Sequence, residues 1–310
     1  MKKKIQELLD KTTRKSRKFT DFYPLACVIT LVIILISQIL SMVGNKAFSI
    51  SRVLDFFTGD GAVSDFAMQY FDFIGIWFGI LLIVYIFKSN RKMLSALKYN
   101  GGGNSIKGLL WGLLLGFLSN GICVLLSVLL GDIKLSYYGF DLRCILVFIV
   151  VIFVQSGAEE LATRFYLYQK LRRRYISPYV AIIGNALCFS LMHALNPGFT
   201  FVSALEIFVI AILFSLFVYY YDALWLAMAF HMSWNFTQNI IFGLPNSGIV
   251  SAYSIFNLEA ASARNGLFYN VNFGVEGSIG SSIVLIIMTV VLYYMNRNKK
   301  EFNDVWKEND

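Results

Sequence analysis

The sequence predicts an all-α fold, a polytopic membrane bundle of about eight transmembrane helices, and three observations carry that reading. Of 310 residues, 57% are hydrophobic and only 15% are charged, whereas charged residues make up about 25% of an ordinary soluble domain. The apolar residues are gathered into runs near the roughly 20 residues that a helix needs to cross a hydrocarbon core. The basic residues are concentrated in alternate connecting segments, which is the charge signature of a multi-pass protein. A mean hydropathy of +0.63 agrees with all three.

Taken in order, a basic segment spans 1–22, and apolar runs follow at 23–43, 67–87, 108–131, 144–169, 179–195, 201–221, 223–243 and 278–296, with a short tail at 297–310. The first run follows basic residues but shows no small-residue cleavage site, so it is expected to be a retained anchor of one membrane domain over 23–296. If the amino terminus is cytoplasmic, residues 1–20, 88–107, 170–177 and the tail hold 21 of the 27 Lys and Arg. The opposite side holds Lys46, Arg52, Lys134, Arg143 and Arg264, and Arg164 lies within a run. That bias predicts a multi-pass protein of the cell membrane with both termini cytoplasmic. The net charge of +8 is then accounted for by topology and attraction to anionic membrane lipid, and no nucleic-acid partner is expected.

Smaller features fit the same frame. Cys27, Cys123, Cys144 and Cys188 lie in or beside apolar runs without C-x-x-C spacing, so neither a disulfide framework nor a thiolate metal site is predicted. Gly108, Gly112 and Gly116 mark one face of the third run and predict close helix packing. Residues 100–105, Asn-Gly-Gly-Gly-Asn-Ser, read as a flexible linker, since no Lys-Ser or Lys-Thr pair follows in phosphate-loop register. The segment 244–277 is long for a structureless loop, and it is expected either to fold back over a site or to dip into the membrane.

Ionisable residues inside a bilayer cost free energy and call for a partner or a task. The fourth run contains Glu159, Glu160 and Arg164, about 16 Å along the helix from its basic end near Lys170 at 1.5 Å per residue. Glu160 and Arg164 stand i, i+4 and can pair, while Glu159 lies about 100° round the helix and is left for chemistry. The only two histidines, His193 and His231, both fall in apolar runs, and Asn235 shares a helix face with His231. An imidazole and an amide side by side can stabilise a developing oxyanion. Counted from the basic side, His231 sits about 14 Å deep and His193 about 22 Å if its helix begins at Pro178, so that helix either starts later or tilts. Asn185 is expected to make an interhelical hydrogen bond, and Glu206 is a further intramembrane acid with no assigned partner.

The ordered set E-E-x-x-x-R at 159–164, F-x-x-x-H at 189–193 and H-x-x-x-N at 231–235, on separate helices over about 140–245, resembles the CPBP family (CAAX protease and bacteriocin-processing) of intramembrane endopeptidases, and its bacterial members in particular. Phe273-Gly274-Val275-Glu276-Gly277-Ser278 also looks like a stretch seen in bacterial members. The resemblance implies hydrolysis of a peptide bond in a membrane-associated peptide or protein, with Glu159 activating water. His193 would help hold the water, His231 and Asn235 would donate to the oxyanion, and Glu160 with Arg164 would set the geometry. It leaves two mechanisms open. The favoured one uses no cofactor; in the other, His193, His231 and Glu159 or Glu160 bind zinc. The alternative function is a non-proteolytic membrane scaffold or a bacteriocin-immunity or regulatory protein acting on a membrane protein partner, and a third is a proton or ion relay through Glu159, Glu160 and Glu206.

Overall fold

A computed structural model describes residues 11–307. The first ten residues of the expected basic segment and the last three of the expected tail lie outside the described residues. The fold is an all-α polytopic bundle. Its helices are α1 (Tyr23–Ala47), α2 (Ile50–Thr58), α3 (Gly61–Phe71), α4 (Ile74–Ile86), α5 (Ile106–Leu129), α6 (Leu142–Glu160), α7 (Tyr168–Arg174), α8 (Pro178–Met192), α9 (Phe201–Tyr221), α10 (Leu224–Phe236) and α11 (Ile279–Asn296). Two short strands, β1 (Leu135–Tyr137) and β2 (Phe256–Leu258), pair antiparallel. Among the described residues six helical runs are long and apolar enough to cross a membrane: 23–47, 61–86, 106–129, 142–174, 201–221 and 279–296.

The other two expected spans differ in length from the reading above. The run 179–195 forms a helix of only 15 residues, α8, which ends before His193; at 1.5 Å per residue it is about 22 Å long, short of a hydrocarbon core of about 30 Å. Ala194 and Leu195 extend the apolar composition but not the helix, and Leu195 is fully exposed beyond it. The run 223–243 is α10 followed by a π-helical turn, Thr237–Ile241.

Helix starts follow from capping chemistry. Proline opens α1 and α8, where its missing N–H costs nothing. Asp60, Ser105, Asp141 and Ser278 accept backbone N–H bonds at the starts of α3, α5, α6 and α11, and Thr200 with Ser203 closes a capping box on α9. Asp222, in the left-handed region at φ 50°, reverses the chain between α9 and α10.

The bundle is apolar outside and polar within. Leu35, Ile39, Leu40 and Val43 on α1 and Ile283, Ile287 and Val291 on α11 are exposed, as lipid-facing side chains should be, whereas Glu159, Glu160, Arg164, Glu206 and His231 are buried. Gly112 and Gly116 of α5 lie against the backbone of α10 at Leu226, Phe230 and Trp234. Gly108 instead meets the carbonyl of Gly103 in the preceding loop, so the glycine stripe serves two neighbours.

That loop, expected to be flexible, is pinned. The Asn100 amide donates to the carbonyl and carboxylate of Asp222, both at 3.1 Å. Asn104 is fully buried, donates to the Ala96 carbonyl at 2.8 Å and accepts from the Trp225 backbone N–H at 3.0 Å. Two asparagine amides thus satisfy helix-end groups that glycine-rich composition alone conceals.

The described parts of both terminal segments meet the same end of the bundle, at α7. Asp21, fully buried, takes a bidentate pair from Arg173 at 2.6 and 2.7 Å and a third contact from Lys170 at 3.2 Å. Arg172 pairs with Glu301 and, at 3.2 Å, with Asp304. The segment 244–277 folds back onto the bundle. The β1–β2 pair holds it at one point, and at others Ile255 N–H donates to the Ile240 carbonyl (2.8 Å) and Gln238 to the Pro245 carbonyl (2.5 Å).

Candidate active site

Helices α6, α8, α9 and α10 bring the polar residues together. The run containing α6 and α7 is continuous but passes through a π-helical turn, Leu161–Leu167, immediately after the two glutamates. A second π turn follows Asn235 by one residue on the facing helix. Such turns insert an extra residue into a helix and recur at functional sites. In the first, Thr163 Oγ1 donates to the Glu159 carbonyl at 2.5 Å, and Arg164 donates to Thr163 Oγ1 at 2.7 Å.

The expected i, i+4 pair is present: Arg164 Nη1 lies 3.2 Å from Glu160 Oε1, both side chains fully buried. Beneath the guanidinium lies the Phe189 ring, with Arg164 Cζ 4.1 Å from its centroid. That geometry adds a cation–π attraction to the ion pair. Phe189 therefore does more than fill space; its ring also meets His193 at 4.7 Å and His231 at 6.2 Å between centroids. His231 Nδ1 is 2.9 Å from Glu160 Oε1. A carboxylate only accepts, so Nδ1 carries the hydrogen and Nε2 is turned toward Glu159.

Glu159 stands apart from this pair, on the other side of His231. Its Oε1 accepts from Gln155 Nε2 at 2.7 Å. Its Oε2 has no hydrogen-bond partner and lies 3.8 Å from His231 Nε2. Both residues line one cavity. The Asn235 amide, expected beside His231 as an oxyanion donor, instead donates to Gln155 Oε1 and Ser156 Oγ, each at 3.2 Å, and its carbonyl accepts from Asn246 at 3.1 Å. In this arrangement Asn235 orients the glutamine that holds Glu159.

His193 sits at the C-cap of α8, with Nδ1 2.9 Å from the Phe189 carbonyl. A carbonyl only accepts, which leaves Nε2 free. Since α8 does begin at Pro178, a later start does not explain the greater depth counted for His193. Asn185 donates to Ser215 Oγ at 2.9 Å, the interhelical bond expected of it.

Glu159, His193, His231 and Asn235 all line one cavity of about 880 Å³, whose apolar wall comes from α1 and α8. Glu160 and Arg164 lie behind it. The cavity also exposes residues that sequence reasoning left without a role: Gln155, Trp234, Asn246, Ser247 and Glu276. Glu276 accepts from Trp234 Nε1 (2.9 Å), from Asn246 (3.3 Å), and from the Ser247 N–H and hydroxyl (both 2.7 Å). Its one sequence signal was its place in the Phe273–Ser278 stretch.

The zinc alternative asks for a compact donor set. Among the described residues no three His, Cys, Asp or Glu side chains are grouped to hold a metal ion. His231 Nδ1 bonds Glu160 and His193 Nδ1 bonds a carbonyl, contacts that leave each Nε2 available as a donor atom.

Residues 141–237 match the family model described as Rce1-like, type II CAAX prenyl endopeptidase Rce1-like. A search of curated proteins and a search of solved structures each return no match. The matched stretch, under a third of the chain, contains all three motifs and every histidine of the chain, and it supports the resemblance to the CPBP family. The chain is a multi-pass membrane protein.

Proposed function

We propose that this chain is an intramembrane endopeptidase that hydrolyses a peptide bond of a membrane-associated peptide or protein, with water activated by Glu159 and without a metal. The observation that carries this reading is the arrangement around the gap between Glu159 and His231: an unpartnered carboxylate oxygen 3.8 Å from an imidazole nitrogen whose opposite nitrogen is held by Glu160.

In the proposed step Glu159 Oε2 takes a proton from a water molecule as its oxygen attacks the scissile carbonyl carbon. The carbonyl oxygen becomes an oxyanion as the tetrahedral carbon forms. His231, as an imidazolium with hydrogen on both ring nitrogens, and the Asn235 amide donate to it; the two contacts Asn235 now makes are neutral and 3.2 Å long, and a charged acceptor competes well against them. His193 Nε2 helps to hold the water. The oxyanion then collapses, the C–N bond breaks, and the proton carried by Glu159 passes to the leaving amine. Arg164 and Glu160 stay buried throughout, and Glu160 holds His231 through Nδ1–H. The catalytic region lies within about 140–245 of a membrane domain over 23–296, with both termini cytoplasmic.

The test uses the full chain in proteoliposomes with a membrane-inserted model peptide. Glu159→Gln should lower cleavage by about 10²–10⁴-fold, the usual worth of a general base, while leaving the thermal melt in place. Retained cleavage would remove Glu159 from its role. Loss of wild-type activity to a chelator, restored by zinc, would replace the metal-free mechanism. Single cysteines introduced at Lys18 and Lys299 should react with an impermeant maleimide from the same side in right-side-up vesicles only after permeabilisation, and labelling before it would overturn the orientation.

A further inference from the structure

The cavity has an unusual charge inventory. Asp72, Glu159, Glu206 and Glu276 line it, and among the described residues no lysine or arginine does. Glu159 has a task and Asp72 accepts from Asn45 at 2.7 Å. Glu206 and Glu276 have no part in the hydrolytic step.

Glu206 is the sharper anomaly. It stands on α9, 1% exposed, and its Oε1 has no hydrogen-bond partner although it borders an 880 Å³ space. Glu276 faces the same space, close enough for its charge to act on Glu206. Its four donors, from Trp234, Asn246 and Ser247, are all neutral, so they orient the carboxylate without cancelling its charge. A buried carboxylate is normally paired or hydrogen-bonded, because an unmade bond leaves the desolvation of the group uncompensated. One acid with an unmade bond and a second held only by neutral donors, built into one wall from elements 70 residues apart in sequence, describe half of an ion pair.

We propose that Glu206, with Glu276 beside it, is a subsite for a cationic nitrogen of the peptide substrate, a lysine ammonium in the first instance. This rests on the endopeptidase reading and narrows it to substrates that carry a basic residue at a fixed distance from the scissile bond. The site imposes the preference because a substrate that brings an ammonium group satisfies Glu206 Oε1 on binding, whereas a neutral one leaves it desolvated and unpaired. The apolar wall from α1 then accepts the remainder of a hydrophobic segment.

The experiment compares membrane peptides in which one lysine is stepped along an otherwise apolar sequence with matched norleucine peptides, each also made N-acetylated. Cleavage is read in phosphatidylcholine proteoliposomes. Binding is read separately, with the Glu159→Gln protein, as displacement of a fluorescent copy of the peptide. At one position the lysine peptide should show kcat/KM and affinity about tenfold or more above norleucine, and Glu206→Gln should bring both ratios to within about twofold. A lysine preference that persists in the acetylated peptides places the cation on the side chain. Equal binding of lysine and norleucine peptides at every position, or a preference that survives Glu206→Gln, overturns the subsite. Absence of cleavage together with a Glu206-dependent binding preference overturns the hydrolase and keeps the subsite. Should Glu206→Gln fail to fold, the wild-type lysine scan decides alone.

Discussion

Gly116→Ala is a test of how the catalytic histidine is positioned from a distance. Gly116 is on α5, outside the cavity, and the methyl group of an alanine would stand 2.9 Å from Ser233 Cβ and 3.0 Å from the Trp234 nitrogen, and closer still to the Phe230 carbonyl oxygen. Carbon atoms in contact prefer about 3.5–4.0 Å, so the two helices must separate locally by about 1 Å. Two of those contacts are backbone atoms and the third is a Cβ, all on the turn that bears His231, so the displacement is transmitted to the 2.9 Å bond with Glu160 and the 3.8 Å gap to Glu159. Misplacement by 1 Å can cost about 10²-fold in rate, and overpacking costs typically about 1–3 kcal/mol of stability. Initial cleavage rates in proteoliposomes and melting curves in detergent measure the two effects. Gly121→Ala is the matched control, because nothing lies within 4 Å of its added carbon. Wild-type cleavage by Gly116→Ala, or equal losses in both variants, would refute the idea that glycine contact on α5 sets the position of His231.

Three further outcomes follow from other contacts. Arg164→Leu leaves the fully buried Glu160 without its cation and should destabilise the protein by about 3–5 kcal/mol in a detergent melt; adding Glu160→Leu should recover stability but not cleavage, since His231 Nδ1 then lacks its acceptor. Asp21→Asn strips Arg173 and Lys170 of their shared carboxylate and should cost a similar amount of about 3–5 kcal/mol, with faster tryptic cleavage at Lys18. The Asp141 carboxyl, which accepts from the Arg143 guanidinium and N–H, is held below the ordinary carboxylate range. Its contribution to the start of α6 is therefore present above the unfolded-state value and lost as pH falls through the lower folded one. Asp141→Asn retains a cap and should remove that acid-side change in hydrogen exchange of the Arg143 amide.

Much of the site was legible because it obeys local rules. Spacing alone separates the Glu160–Arg164 pair from Glu159, and capping residues and prolines mark where α1, α5, α8 and α9 begin. What sequence could not supply lies in contacts between distant segments. Glu276 reaches Trp234 across 42 positions and Asn246 reaches Asn235 only because the 244–277 segment returns over the bundle. How the Asn235 amide is held lay beyond sequence for the same reason: helix periodicity places it beside His231, and Gln155 and Ser156 on the facing helix aim it. Apolar composition hid the end of α8, since Ala194 and Leu195 are as hydrophobic as the helix they follow.

The two π turns give the bundle a broken phase. Each falls just beyond a cluster of polar side chains, at 161–167 after Glu160 and at 237–241 after Asn235. An added residue there advances everything downstream by about 100° relative to an uninterrupted α-helix. A wheel drawn through 142–174 as a straight rod therefore assigns Arg172 and Arg173, which grip Glu301, Asp304 and Asp21, to the wrong side. Single-residue deletion within 161–167 would unscrew that grip while sparing the glutamates, making each turn a swivel between the chemistry and the clasp that closes the bundle.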